Sequence, residues 1–150
     1  MSVFQVPLAR ALILSSLITL AGCGGNGPDG VVCDLEGVTL DEGLGVRDLE
    51  CGTGTIAENG VSARITYTAS LEGESPFDES YDGGFTFRIG SGQVVSGLDQ
   101  GLLGMRVGGV RELSIPPELA YGEAGFAPDV PPDSTVIYDV ELLAVTDPDE

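Results

Sequence analysis

Residues 85–109 read FTFRIGSGQVVSGLDQGLLGMRVGG. The stretch changes its period partway along. Phe85, Phe87 and Ile89 alternate with Thr86 and Arg88, the two-residue period of a half-buried strand. Leu98, Leu102 and Met105 then fall at helical spacing. Ser96 followed by Asp99 predicts a helix N-terminus of the capping-box kind, with Asp in place of Glu or Gln. Gly101 and Gly104 weaken this helix, which is expected to be short and to end near Val107-Gly108-Gly109. The intervening GSGQVV, 90–95, lacks the Lys or third Gly of a phosphate-cradling loop and reads as a turn.

Outward from this segment the pattern is strand-like. In VSARITYTASL, 61–71, Val61, Ala63, Ile65, Tyr67, Ala69 and Leu71 share one face, with polar residues on the other. VRELSI at 110–115, TVIYDVELL at 135–143 and LGVRDLE at 44–50 are further strand candidates. Five strands and one short helix imply an α+β domain over residues 37–146, its helix covering one face of a mostly antiparallel sheet. Residues 147–150 form an acidic tail.

Charge narrows the function. Of the 150 residues 24 are acidic and six basic, all six Arg, for a formal charge of −18. Phosphate neutralisation needs Lys and Arg, so nucleic-acid binding is excluded. With no His in the chain, Ser-His-Asp and Cys-His catalysis and His-based metal sites are excluded too. No cofactor or metal is expected. Acidity of this degree suppresses association, so a monomer is expected, and it fits either simple solubility or a salt-adapted source.

The N-terminus reads as an address. Arg10 precedes an apolar run, Ala11 to Leu20, too short to span a bilayer. Leu20-Ala21-Gly22-Cys23 follows and resembles a bacterial lipobox. Residues 1–22 are therefore expected to be a signal peptide, Cys23 a lipidated residue, and residues 23–36 its tether, rich in Gly at the start. That places the domain outside the cytoplasm, held to a bacterial membrane through Cys23 alone. The two remaining cysteines, Cys33 and Cys51, are then expected to pair, worth on the order of 3 kcal/mol by the chain-entropy model.

AYGEAGFAPDVPPDS, 120–134, carries more than a connector needs: Tyr121 and Phe126 sit among Pro128, Pro131 and Pro132. Taken in order, YTASLEGESPFDES, FTFRIGSGQVVSGLDQGLLGMRVGG, IPPELAYGEAGF and VPPDSTVIYDVELL resemble the FK506-binding-protein family of peptidyl-prolyl cis-trans isomerases, over roughly residues 43–145. The resemblance implies a five- to six-stranded antiparallel sheet curved around one short helix, agreeing with the periodicity. It also implies a pocket for proline-containing polypeptides, and for macrolide inhibitors, between helix and sheet.

Carried across by residue, the implied pocket contains Tyr67, Phe77, Asp78, Phe87, Val94, Val95, Tyr121 and Tyr138. Phe85, Phe126 and Val130 are expected at its rim, Leu98 at its floor, and Gln93 offers a backbone carbonyl. The resemblance assigns catalytic parts to Asp78, Tyr121, Val95 and Tyr67: Asp78 orients, while the Tyr121 hydroxyl and the Val95 N–H hold substrate carbonyls.

The chain departs from many members in three places. Leu98 stands where Trp is frequent, which removes ring area under a bound proline. The segment ESYDGG, 79–84, reads as a shortened loop without the Arg often paired with the pocket acid, which implies a less restrained Asp78. Phe126 and Tyr138 stand where His and Phe are common. The function implied is isomerisation of X-Pro bonds in exported proteins. The alternative is a proline-peptide-binding chaperone or scaffold with weak or no turnover.

Overall fold

A computed structural model describes Cys33 and residues 37–147. The expected signal peptide, Cys23, most of the tether and residues 148–150 lie outside the described residues. The strands are β1 (Val38–Thr39), β2 (Gly45–Glu50), β3 (Ser62–Leu71), β4 (Asp78–Arg88), β5 (Val110–Ile115) and β6 (Val136–Thr146), with helix α1 (Ser96–Gly101) between β4 and β5. They form one antiparallel sheet in the order β1-β2-β5-β6-β3-β4. This is the α+β sheet-and-helix architecture that the alternation and the single helical stretch imply. Cys33 and Cys51 are joined by a disulfide, which ties the residues ahead of β1 to the end of β2.

The core lies between α1 and the inward face of the sheet. Ala63, Ile65 and Ala69 of β3, Leu113 and Ile115 of β5, and Val136, Val140 and Leu142 of β6 are fully buried against Leu98 and Leu102. Two glycines set how closely the helix approaches. A methyl group added to Gly97 would overlap the Ile115 side chain, and one on Gly101 would lie 2.6 Å from both Leu113 methyls. The helix backbone itself therefore rests on β5. Gly101 reads in sequence as a weak point of the helix, but its missing side chain is what lets the helix seat.

The cap differs from its expectation. Ser96 opens the helix, yet no side chain caps it; the N-cap position is Val95, whose carbonyl accepts from the N–H groups of Leu98 and Asp99 at 3.0 and 3.2 Å. Asp99 instead reaches back over the 90–95 turn. Its carboxylate accepts from the Gly90 N–H at 3.0 Å and the Gly92 N–H at 3.2 Å. The glycine turn does cradle an anion, and the anion is the chain's own.

The other end of α1 is held by Arg111. Its guanidinium donates to the Gly101 and Leu103 carbonyls at 2.8 and 3.2 Å and pairs with Asp48 on β2, Nε to Oδ1 at 2.6 Å. Both side chains are about nine-tenths buried, 10% and 8% exposed. A buried pair of this kind is costly to break from one side, because the other charge is left behind. Here it joins β2, β5 and the helix C-terminus.

Residues 79–84 are not a separate loop. β4 begins at Asp78 and runs through them, with a bulge: Ile65 pairs with Phe85, but Tyr67 pairs with Ser80. Gly83 and Gly84, with φ of +82° and +75°, make the turn that this excursion needs.

The packing gives a direct test. Gly97→Ala should lower stability by up to about 2 kcal/mol, since overpacking against the branched Ile115 costs about 1–3 kcal/mol and helix propensity returns roughly 1 kcal/mol. The checking measurement is the midpoint of urea unfolding, which should fall. A raised midpoint would show that the helix does not rest directly on β5.

Candidate active site

A cleft of about 460 Å³ opens beside α1, lined by Tyr67, Asp78, Phe85, Gly92, Gln93, Val94, Val95, Leu98, Tyr121 and Tyr138. Each wall comes from a different element. Tyr67 points from β3 and Tyr138 from β6; their rings lie 5.7 Å apart, in agreement with the pairing of Ala69 with Tyr138 one pleat away. Phe85, on β4 beyond the bulge, meets Tyr67 edge-on at 6.3 Å. Leu98, only 2% exposed, lies at the floor on the first turn of α1. Val94 and Val95 border the cleft where the turn fixed by Asp99 enters the helix.

Three phenols and one carboxylate are the cleft's titratable groups. The Tyr67 hydroxyl donates to Asp78 Oδ2 at 2.9 Å, and the Glu79 N–H donates to Oδ1 at 2.9 Å. Asp78 is thus held on both oxygens, correcting the expectation that a missing Arg leaves it less restrained. Burial, and then the bond to Asp78, push the Tyr67 phenol up from 10.0 to about 12. Tyr138 is raised as well, first by burial and then by its contact with the Tyr121 hydroxyl. Those two oxygens lie 3.4 Å apart, a long hydrogen bond that either hydroxyl can donate.

Tyr121 sits between two 3-10 turns, Pro117–Leu119 and Gly122–Ala124. Its ring meets Phe77 edge-on at 6.5 Å and Phe126 at 5.4 Å. Phe77 and Phe126 therefore support the cleft through Tyr121 and do not line it.

Two expected pocket residues belong elsewhere. Phe87 is 3% exposed in the core and stacks behind Phe85, their rings 5.7 Å apart. Val130 is 2% exposed, so it is not a rim residue. It bonds Phe126 in both directions at 2.8 Å and so pins the 121–134 loop into the core. Phe126, by contrast, is 56% exposed. Gln93 lines the cleft, and its side-chain carbonyl accepts from the Arg88 N–H and the Ser91 hydroxyl. The sequence reading omitted Gly92, a cleft-lining residue whose only signal was its place in the turn.

A family model described as FKBP-type peptidyl-prolyl cis-trans isomerase matches residues 54–143. The chain belongs to that family. Among curated family members, it is 39% identical over 138 residues to the peptidyl-prolyl cis-trans isomerase FKBP15-2 of Arabidopsis thaliana, covering 91% of this chain and 79% of that one. It is 44% identical over 107 residues to FK506-binding protein 4 of Dictyostelium discoideum, covering 71% of this chain and 29% of that protein. The chain spans between 22% and 29% of the length of the first curated relatives it matches. Among solved structures, FkpA from Escherichia coli is similar at a TM-score of 0.66 and 38% identity, covering 74% of this chain and 52% of that one. The peptidyl-prolyl isomerase from Pseudomonas syringae pv. tomato is similar at 0.67 and 29% identity, covering 73% and 80%.

The shifted phenol has a consequence for this family member's stability. An unfolded chain releases the Tyr67 proton near 10.0 and the folded one near 12. In that window the unfolded state binds fewer protons, so the contribution is complete below about pH 10 and is lost as pH rises through about 12. Urea unfolding followed between those pH values should show falling stability, and Tyr67→Phe should make the fall shallower. An equal fall in the variant would remove Tyr67 from the account.

Proposed function

We propose that this chain catalyses cis-trans isomerisation of X-Pro peptide bonds, and that the cleft between α1 and the sheet is where it does so. The observation that carries the reading is the Tyr67–Asp78 pair, 2.9 Å apart, set in one cleft with Phe85, Val95, Leu98, Tyr121 and Tyr138.

Rotation about a prolyl amide is slow because partial double-bond character must be lost. No bond is broken, so no metal, cofactor or proton relay is required. The twisted amide is less charge-separated than the planar one, and apolar side chains packed against it favour it relative to water, which is binding that improves only at the transition state. Tyr67, Phe85, Val95, Leu98 and Tyr138 supply that surface. The Val95 N–H and the Tyr121 hydroxyl are assigned to substrate carbonyls. Asp78, held by Tyr67 and by the Glu79 N–H, orients the turn electrostatically and takes no proton.

The substrates we assign are proline-containing polypeptides, bound by a monomer. Macrolide binding is supported by relatives named for FK506. Leu98 offers less stacking area than a large ring at the floor. A coupled isomerase assay on X-Pro tetrapeptides should show acceleration above background at micromolar protein. Asp78→Ala should lower kcat/KM about five- to tenfold, the loss of one to two hydrogen bonds. Peptide binding without acceleration would instead establish the chaperone or scaffold reading.

We further propose that the domain works outside the cytoplasm on exported proteins, tethered by lipid on Cys23. The support is the order Arg10, apolar run, Leu20-Ala21-Gly22-Cys23. Expressed in a bacterial host, the full chain should fractionate with membranes and Cys23→Ser should release it. Retention of the variant would contradict the lipid tether.

A further inference from the structure

Tyr138 holds the most buried polar group of the cleft, and orientation of the substrate alone gives its hydroxyl no task. The side chain is 4% exposed on the central strand β6, packed against Tyr67. Its hydroxyl lies 3.4 Å from the Tyr121 hydroxyl. A buried hydroxyl that forgoes water has to use a partner, or lose free energy. Tyr121 is only partly buried, and the rings of Phe77 and Phe126 that pack on it bring no acceptor.

We propose that Tyr138 is a positioning residue for prolyl isomerisation: its hydroxyl donates to the Tyr121 oxygen, so that the Tyr121 proton is left free for the substrate carbonyl. This deepens the isomerase reading and rests on it.

The direction of the bond decides the chemistry. Were Tyr121 to donate inward, its single O–H would be spent on Tyr138 and nothing would face the substrate. With Tyr138 as donor, the Tyr121 oxygen accepts while its O–H points to the ligand. The two bonds then reinforce one another, because an oxygen that accepts becomes a better donor. The 3.4 Å separation is long for two hydroxyls, and such contacts commonly tighten when ligand is bound. Burial also keeps the Tyr138 phenol protonated, so the donor persists across the working pH range.

A double-substitution cycle tests this. Tyr138→Phe keeps the ring and removes only the hydroxyl. It should lower kcat/KM for an X-Pro tetrapeptide about three- to tenfold, the effect of one neutral hydrogen bond, while the urea midpoint moves little. In a Tyr121→Phe background the same change should have almost no effect, because its only route to the substrate is gone. Equal losses in both backgrounds would mean that Tyr138 contacts the substrate itself, and no loss in the parent would mean that the hydroxyl is idle; either overturns the proposal. The same four proteins titrated with the peptide for Kd read the coupling without turnover. An inactive parent that shows coupled Kd values would refute isomerase activity while leaving the Tyr138–Tyr121 relay standing.

Discussion

The contact between the bare backbone of α1 and strand β5 is the constraint from which the site follows. A six-residue helix has too few internal hydrogen bonds to be stable alone, so its place is set by what it packs on. Gly97 and Gly101 remove the side chains that would hold it off Ile115 and Leu113. Leu98 and Leu102 then fill the space between helix and sheet. Two polar groups fix the ends: Asp99 draws the 90–95 turn onto the first turn of the helix, and Arg111 ties its last carbonyls to Asp48. The cleft exists because this seating is close enough for Leu98 to be a floor, yet leaves Val94 and Val95 at its edge.

The same economy governs the cleft's chemistry. Its polar groups mostly satisfy one another, Tyr67 with Asp78 and Tyr121 with Tyr138, so rings and aliphatic side chains face a ligand beside polar groups that are already paired. Both Tyr67 and Tyr138 are driven toward their neutral forms chiefly by burial. A surface of this kind discriminates between a planar and a twisted amide by polarity and shape, and needs no group that changes protonation. A chain without His loses nothing by that route.

Much of the fold was legible in the change of period across residues 85–109 and in the alternation at 61–71, because both elements bury one face and solvate the other. The 79–84 stretch was misread because Gly83-Gly84 and two acids look like a loop, while strand pairing with β3 is a non-local fact that no local pattern carries. Asp99 was misread for a related reason. An acid three residues after Ser is the sign of a cap, but whether it turns to its own helix or to the preceding turn depends on where that turn lies. At the site, family resemblance brought Tyr67, Asp78, Leu98, Tyr121 and Tyr138 together from four separate segments, which spacing alone could not do. It misplaced Val130, since an aliphatic residue between prolines gives no local sign of whether it faces the cleft or the core. The Arg111–Asp48 pair, 63 residues apart, left no sequence signal at all.

The central claim is that the cleft turns a prolyl bond by shape and polarity, with no proton in flight. It is tested most directly by kcat/KM for an X-Pro peptide measured from about pH 6 to 9, in water and in deuterium oxide. The account predicts a flat profile and a solvent isotope effect close to one. A bell-shaped profile in that range, or an isotope effect well above one, would contradict it.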